Sequence, residues 1–217
     1  MDGFEADLDS VTLLNHLASP TIDAKDLLQG ATARKIYDLF AYVRTKNTDN
    51  PQPVMAYSIS RTTHEEDLGA NELPEVRHIF AYSDGFGRLI QSKVQTKPGP
   101  VVKRGSDGRI LLADDGQPIL TDESVDPRWV ASGWVIYNNK GFPVARFDPF
   151  FTHLQTFEFD ARAGVSPILF YDALGRVVAG LAPNDSYVKQ LFSPWSIEEW
   201  DNNDTVELDP RIDPDVK

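Results

Sequence analysis

The sequence predicts a mainly β chain, built of antiparallel hairpins behind one or two short N-terminal helices. Three observations carry that prediction. Apolar runs such as Ile168-Leu169-Phe170-Tyr171 are short and rich in β-branched and aromatic residues; several stretches alternate apolar and polar residues at a period of two; and 15 prolines and 14 glycines punctuate the chain. The best-formed hairpin lies at 171–178, where Asp172 can bond its own backbone two residues on and Gly175 can take a positive φ. Val177, Val178 and Leu181 then resume extended structure. Arg176 falls just past the tip, where its stem can lie on a neighbouring ring while its head stays wet.

Each element follows from local signals. Asp9 or Ser10 caps a first helix through Val11, Leu13, Leu14 and Leu17, which Ser19-Pro20 ends, and a second runs from Thr21 or Asp23 through Leu27 and Leu28 to Gly30. Residues 33–43 are ambiguous: Ile36, Leu39, Phe40 and Val43 share one helical face, yet Ile36, Tyr37, Phe40, Tyr42 and Val43 are strand formers. Taken alone, the period favours a helix. Residues 54–63 set Val54, Ala56, Ser58 and Ser60 against Met55, Tyr57, Ile59 and Arg61, the pattern of a half-buried strand.

An acidic, solvated loop at 65–75 leads to a strand at 76–82 and the tip Ser83-Asp84-Gly85-Phe86-Gly87-Arg88. On the return, Leu89, Gln91 and Lys93 alternate with Ile90, Ser92 and Val94. Past Pro98-Gly99-Pro100, the turns at Asp107-Gly108 and Asp115-Gly116, with Ile110-Leu111-Leu112 and Pro118-Ile119-Leu120 between and after them, predict a protruding hairpin. Trp134-Val135-Ile136-Tyr137 then reaches the tip Asn138-Asn139-Lys140-Gly141 and returns through Val144, Arg146 and Phe147. Asp148-Pro149 breaks that strand, residues 155–160 alternate Phe157 and Phe159 with polar neighbours, and Asn184-Asp185-Ser186 turns the chain into Tyr187, Val188, Leu191 and Phe192. These signals divide the chain into a helical lead-in at 1–32, an antiparallel β region at 33–208 and an exit linker at 209–217, as in a segment cut from something longer.

Composition narrows the function classes. The 33 acidic against 21 basic side chains give a net charge of -12, which repels phosphate backbones and anionic lipid heads and argues against nucleic acid and membrane contact. No apolar run approaches the roughly 18 residues of a membrane span, and Met1-Asp2-Gly3-Phe4-Glu5 has neither the basic start nor the apolar stretch of a secretory signal. With no cysteine, disulfides and thiolate metal sites are out of reach, and cysteine usage says nothing about compartment.

The same weighing applies to candidate chemistry. Asp172 with Arg176 and Asp84 with Arg88 have the look of catalytic or ligand pairs, but turn geometry accounts for their spacing. The acidic end at 201–215 lacks the Asp-x-Asp-x-Asp-Gly loop of a calcium site and reads as a solvated linker. His16, His64, His78 and His153 show no metal-binding spacing, and neither a nucleophile elbow nor a phosphate loop is present. A carboxylate pair meeting only in space stays open. Trp134, Tyr137, Phe147, Phe150, Phe151, Phe157, Phe159, Phe170 and Tyr171 suit a sugar-stacking face, although aromatics in strands are mostly packing. No catalytic residue, cofactor or metal ligand is assigned.

Aligned by their tips, Tyr82-x-Asp84-x-x-Gly87-Arg88-Leu89, Tyr137-Asn138-x-x-Gly141 and Tyr171-Asp172-x-x-Gly175-Arg176-Val177 resemble the YD repeat of Rhs proteins. More specifically, the chain resembles the B component of bacterial insecticidal toxin complexes and its SpvB-type relatives, in the segment leading into the Rhs shell. Further phrases that carry this are Pro127-Arg128-Trp129-Val130, Ser132-Gly133-Trp134, Pro149-Phe150-Phe151, Gly164-Val165-Ser166-Pro167 and Trp200-Asp201-x-Asn203-Asp204-Thr205. The tip glycines at 87, 141 and 175 keep no single period, so the array is degenerate, and the hairpin at 110–120 looks like an insertion. Because Thr32-Ala33-Arg34-Lys35-Ile36-Tyr37-Asp38-Leu39 resembles a family strand, 33–43 is taken as strand.

The resemblance implies a non-catalytic segment of a hollow β shell that encloses a toxic C-terminal polypeptide. Implied partners are other shell segments of the same or a partner toxin chain, the enclosed polypeptide, and the translocation-channel component of the complex. The setting it implies is secreted or extracellular, without a visible signal peptide. The family's aspartic self-cleavage site and variable cargo enzyme are not in this segment. The alternatives are a free-standing β-rich module that binds glycan or protein and, last, a hydrolase using a spatial carboxylate pair.

Overall fold

The structure, a computed structural model, describes residues 5, 7–63 and 75–216, so His64 and nearly all of the acidic loop read at 65–75 lie outside the described residues. In chain order the elements are α1 (Ser10–Ala18), α2 (Ala24–Leu28), β1 (Ala33–Asp38), α3 (Ala41–Thr45), β2 (Val54–Arg61), β3 (Val76–Ser83), β4 (Leu89–Thr96), β5 (Arg128–Ala131), β6 (Val135–Tyr137), β7 (Pro143–Arg146), β8 (Phe150–Thr152), β9 (Ile168–Tyr171), β10 (Val177–Leu181), β11 (Tyr187–Phe192) and β12 (Ile197–Trp200). The fold is mainly β, and every strand pairing among the described residues is antiparallel. Two compact units share the chain: Met1–Val102 with Leu120–Ser132 and Phe150–Phe159, and Lys103–Ile119 with Gly133–Pro149 and Asp160–Lys217.

The first unit is a six-stranded sheet in the order β1-β2-β3-β4-β5-β8. Its register lines up Ile36, Tyr57, Phe80, Lys93, Ala131 and Phe150 as one cross-strand row on the buried face, the period of two turning these residues inward together. Tyr57 stacks on Phe80 with ring centres 4.5 Å apart, and Phe80 meets Trp129 edge-on at 5.4 Å. Helix α1 begins as its sequence signal requires, with Asp9 Oδ1 accepting from the Val11 and Thr12 N–H groups at 2.9 and 3.0 Å. None of its side chains is buried. Helix α2 buries Ala24, Leu27 and Leu28.

Residues 33–43 divide the two readings between them. Strand β1 stops at Asp38, where an ion pair with Arg44 folds the chain back, and Ala41–Thr45 form a short helix with Ala41 buried. Extending the strand to residue 43 was therefore wrong beyond Asp38. Residues 155–160 are not a strand either. Their backbone is met by side chains in place of a partner strand: Gln52 Oε1 accepts from Phe157 N–H, Gln91 Oε1 accepts from Glu158 N–H, and Gln91 Nε2 donates to Glu158 O. Phe157 is thus buried while Phe159 faces out.

The second unit holds a four-stranded sheet in the order β12-β11-β10-β9 and the two-stranded β6-β7 ribbon. Gly133 precedes β6 where a Cβ would fall 1.5 Å from Phe147 O, so the chain crosses there with room for no side chain. The apolar centre is Ala179, Tyr187 and Val216, with Phe170 and Leu181 against them. Val216 and Asp213 are buried, so the acidic end read as a solvated linker packs back onto β11. The hairpin foreseen at 110–120 gains a third segment, since Lys103 N–H donates to Ile119 O and Leu111 N–H donates to Lys103 O. Only isolated bridges form, because turns at 105–109 and 113–117 leave too few residues between them for a ladder.

Candidate functional site

One backbone device closes six turns among the described residues, at 84–88, 105–109, 113–117, 138–142, 172–176 and 182–186. The first N–H donates to the fifth carbonyl, and the fourth N–H donates to the first carbonyl, all at 2.8–3.1 Å. The fourth residue has a positive φ each time: Gly87, Gly108, Gly116, Gly141 and Gly175 lie between 77° and 86°, and Asp185 at 65°. This is a type I turn followed by a left-handed residue, the usual three-residue hairpin loop.

In the three turns that the sequence motif singles out, the first residue adds a side-chain clasp. Asp84 Oδ1 accepts from the Phe86 and Arg88 N–H groups, Asn138 Oδ1 from Lys140 and Phe142, and Asp172 Oδ1 from Leu174 and Arg176, all at 2.9–3.0 Å. In the other three, Asp107, Asp115 and Asn184 sit two places later and bond the N–H two residues on. The arginines complete the clasp: Arg88 Nε donates to Asp84 Oδ2 at 2.6 Å and Arg176 Nε to Asp172 Oδ2 at 2.7 Å. The Arg176 head also lies over the Phe192 ring at 4.1 Å.

These clasps set the carboxylates' proton affinity. Burial works against the charge of Asp84, but the Arg88 guanidinium and the turn N–H groups outweigh it and hold the carboxyl below its ordinary range. For Asp172 the Arg176 N–H has the largest effect, and its carboxyl is lowered too. A carboxylate whose oxygens are engaged by two N–H groups and a guanidinium is a poor proton acceptor, which suits a turn better than a base.

Each residue of the motif sits at a hairpin end. Tyr82, Asp84, Gly87 and Arg88 belong to β3–β4 in the first unit; Tyr137, Asn138 and Gly141 belong to β6–β7, and Tyr171, Asp172, Gly175 and Arg176 to β9–β10, in the second. The last two tips meet. Tyr171 donates from its hydroxyl to Pro143 O at 2.7 Å, Phe142 stacks on Tyr171 at 5.1 Å, and a Cβ on Gly175 would fall 2.5 Å from the Phe142 ring. Tyr82 is buried and its hydroxyl donates to Gln155 O.

Two polar clusters escaped the sequence reading. In the first unit, Tyr57 Oη lies 2.7 Å from His78 Nδ1 and 3.2 Å from His16 Nε2. Burial lowers the His78 pKa to about 4, with a further push from His16, and raises the Tyr57 phenol, so both are neutral near pH 7. Beside them, Lys93 and Glu158 form an ion pair at 2.5 Å with almost no exposure. In the second unit, Tyr187 donates to Asp213 Oδ2 at 2.6 Å, and Lys189 reaches Asp213 and Asp215 at 2.9 and 2.8 Å. Burial and Asp213 push the Tyr187 phenol up to about 12. The strand period did contain a signal, since His78 shares its face with Phe80 and Tyr82, and Lys189 shares its face with Tyr187.

These clusters join secondary-structure elements together. Tyr57, His78, Tyr187, Lys189 and Asp213 are buried, whereas His16 is half-buried and the Asp215 carboxylate keeps 38% of its exposure. Among the described residues, no group of three or more His, Asp or Glu side chains could hold a metal ion. Open grooves beside α1 and α2 are lined by His16 and His78 respectively, with Asp23 and Asp26 on both. The aromatic residues considered for sugar stacking are divided between the units and mostly buried or half-buried, with Phe159 exposed.

No protein-family model matches the chain, and no curated protein matches it in sequence. Solved structures do match in shape. The chain is similar to the crystal structure of TcdB2-TccC3, with a TM-score of 0.65 and 19% identity over 95% of this chain and 9% of that one. It is similar to the crystal structure of TcdB2-TccC3-TEV, with a TM-score of 0.63 and 17% identity over 98% of this chain and 12% of that one. The Photorhabdus luminescens Tc holotoxin pore carrying a TccC3 mutation gives 0.55 and 19%, over 92% and 8%. The chain thus spans about a tenth of the length of the chains it matches, and what it shares with them is a mainly β Tc-toxin-like fold.

Proposed function

We propose that this chain is a non-catalytic wall segment of a Tc-type toxin shell, a sheet surface that helps enclose a toxic polypeptide until delivery. The observation that carries this reading is the fold likeness to Tc toxin chains over 92–98% of the present chain. Its active principle is exclusion: hairpins clasped at their tips by Asp or Asn and Gly make a stiff sheet. Its partners are flanking shell segments, the enclosed polypeptide and the translocation channel, and it works outside the cell as part of the complex. The resemblance of the turns to YD repeats belongs to the same reading.

A wall segment taken by itself leaves apolar surface that neighbouring wall would cover. Tyr37, Leu39, Phe40, Tyr42 and Val43, all exposed within seven residues, are that surface. The test is binding of a solvatochromic apolar dye to the purified chain, alongside turnover assays on panels of glycosides and esters. Dye binding without turnover is expected. A dye-silent protein would favour a free-standing module, and turnover lost on substitution of one Asp or Glu would make it an enzyme.

A further inference from the structure

Both sheets end on an open strand, and the two ends differ in chemistry. Strand β1 closes one side of the six-stranded sheet and β12 one side of the four-stranded sheet, with no further strand paired to either among the described residues. On β1 the outward residues are Ala33, Lys35 and Tyr37, with Leu39 just beyond; Tyr37 is 61% and Leu39 60% exposed. Arg34, Lys35, Arg44 and Lys46 against Asp38 make this stretch basic in a chain of net charge -12. On β12, Ile197 is 62% exposed, Glu198 and Glu199 are exposed beside it, and Trp195, just before the strand, is 94% exposed. Exposed edges with apolar side chains template the addition of another strand.

Register makes the match specific. Laid antiparallel, β12 places Glu199 opposite Lys35 and Ile197 opposite Tyr37, and the period of two puts both pairs on one face. A slip of one residue sets Tyr37 against Ser196 or Glu198, and the apolar pair is lost. Glu199 Oε1 already accepts from Gln190 at 3.0 Å, which orients the carboxylate and leaves its second oxygen for Lys35.

We propose that β12 of one copy of this chain adds antiparallel to β1 of a second copy in this register, so that copies associate head to tail through unlike edges. The inference does not rest on the shell reading: it needs no enclosed polypeptide, and it gives Tyr37 a second copy of this chain where that reading gives it neighbouring wall.

Sedimentation of the whole chain across a range of concentration tests it. Association is expected to rise with concentration and weaken with salt, and Lys35→Glu or Glu199→Lys alone should weaken it on the order of tenfold. Mixing the two variants should restore it, because each unlike contact then pairs opposite charges. The chain has no cysteine of its own, so Tyr37→Cys with Ile197→Cys should give a ladder of disulfide-linked copies under oxidation. A chain monomeric at every concentration, charge swaps without effect, no rescue on mixing, or only monomeric disulfide product would each overturn the proposal.

Discussion

His78 makes the stability of the first unit sensitive to mild acid. Its ring is buried against Tyr57 and Trp129, accepts or donates at 2.7 Å to the Tyr57 hydroxyl, and has a pKa of about 4 where an unfolded histidine has about 6.5. Because the folded pKa lies below the unfolded one, the unfolded chain binds the proton more readily between these values. The stabilisation is complete above about 6.5 and is lost as pH falls toward 4. At about 1.4 kcal/mol per pKa unit, the full loss is on the order of 3 kcal/mol, of which about 2 kcal/mol falls between pH 7.5 and pH 5. Urea unfolding followed by circular dichroism at those two pH values reads this directly. His78→Gln keeps a hydrogen-bonding partner for Tyr57 but does not titrate, so its stability should change by less than half as much. His16, whose pKa is also lowered by burial, accounts for the remnant. A variant as acid-sensitive as the natural chain would refute the reasoning.

Other consequences are as concrete. Lys93→Met should cost about 3–5 kcal/mol in urea unfolding, because it takes the ammonium away from the buried Glu158 carboxylate, whereas adding Glu158→Leu should recover most of that loss; equal losses in both proteins would show the pair is not coupled. Gly87→Ala should cost about 1 kcal/mol from its positive φ alone, since an added Cβ meets nothing within 4 Å, and Gly175→Ala should cost more because its Cβ meets the Phe142 ring at 2.5 Å. Equal thermal shifts for the two variants would contradict that packing. Asp213 is held below the ordinary carboxylate range: burial opposes its charge, but Tyr187 and Lys189 outweigh it. Its contribution is therefore present above about 4 and lost as pH falls through the lowered value, and Asp213→Asn should remove that acid limb while weakening protection of Tyr187 in hydrogen exchange.

The sequence by itself determined the local architecture. A turn is set by adjacent residues, so the Asp or Asn clasp and the positive-φ glycine were legible at 84–88, 138–142 and 172–176, as were the helix cap at Asp9 and the period of two through Met55, Tyr57 and Ile59. What only the tertiary structure decided is how polar side chains are used across long separations. Lys93 reads as an ordinary alternating lysine until Glu158 comes to it from 65 residues away, and Asp213 reads as tail until β11 brings Tyr187 and Lys189 beneath it. Strand phase tells which residues share a face but not which face is dry. Desolvation, which turns a lysine or histidine from surface ornament into a structural contact, depends on neighbours that the chain delivers only when folded.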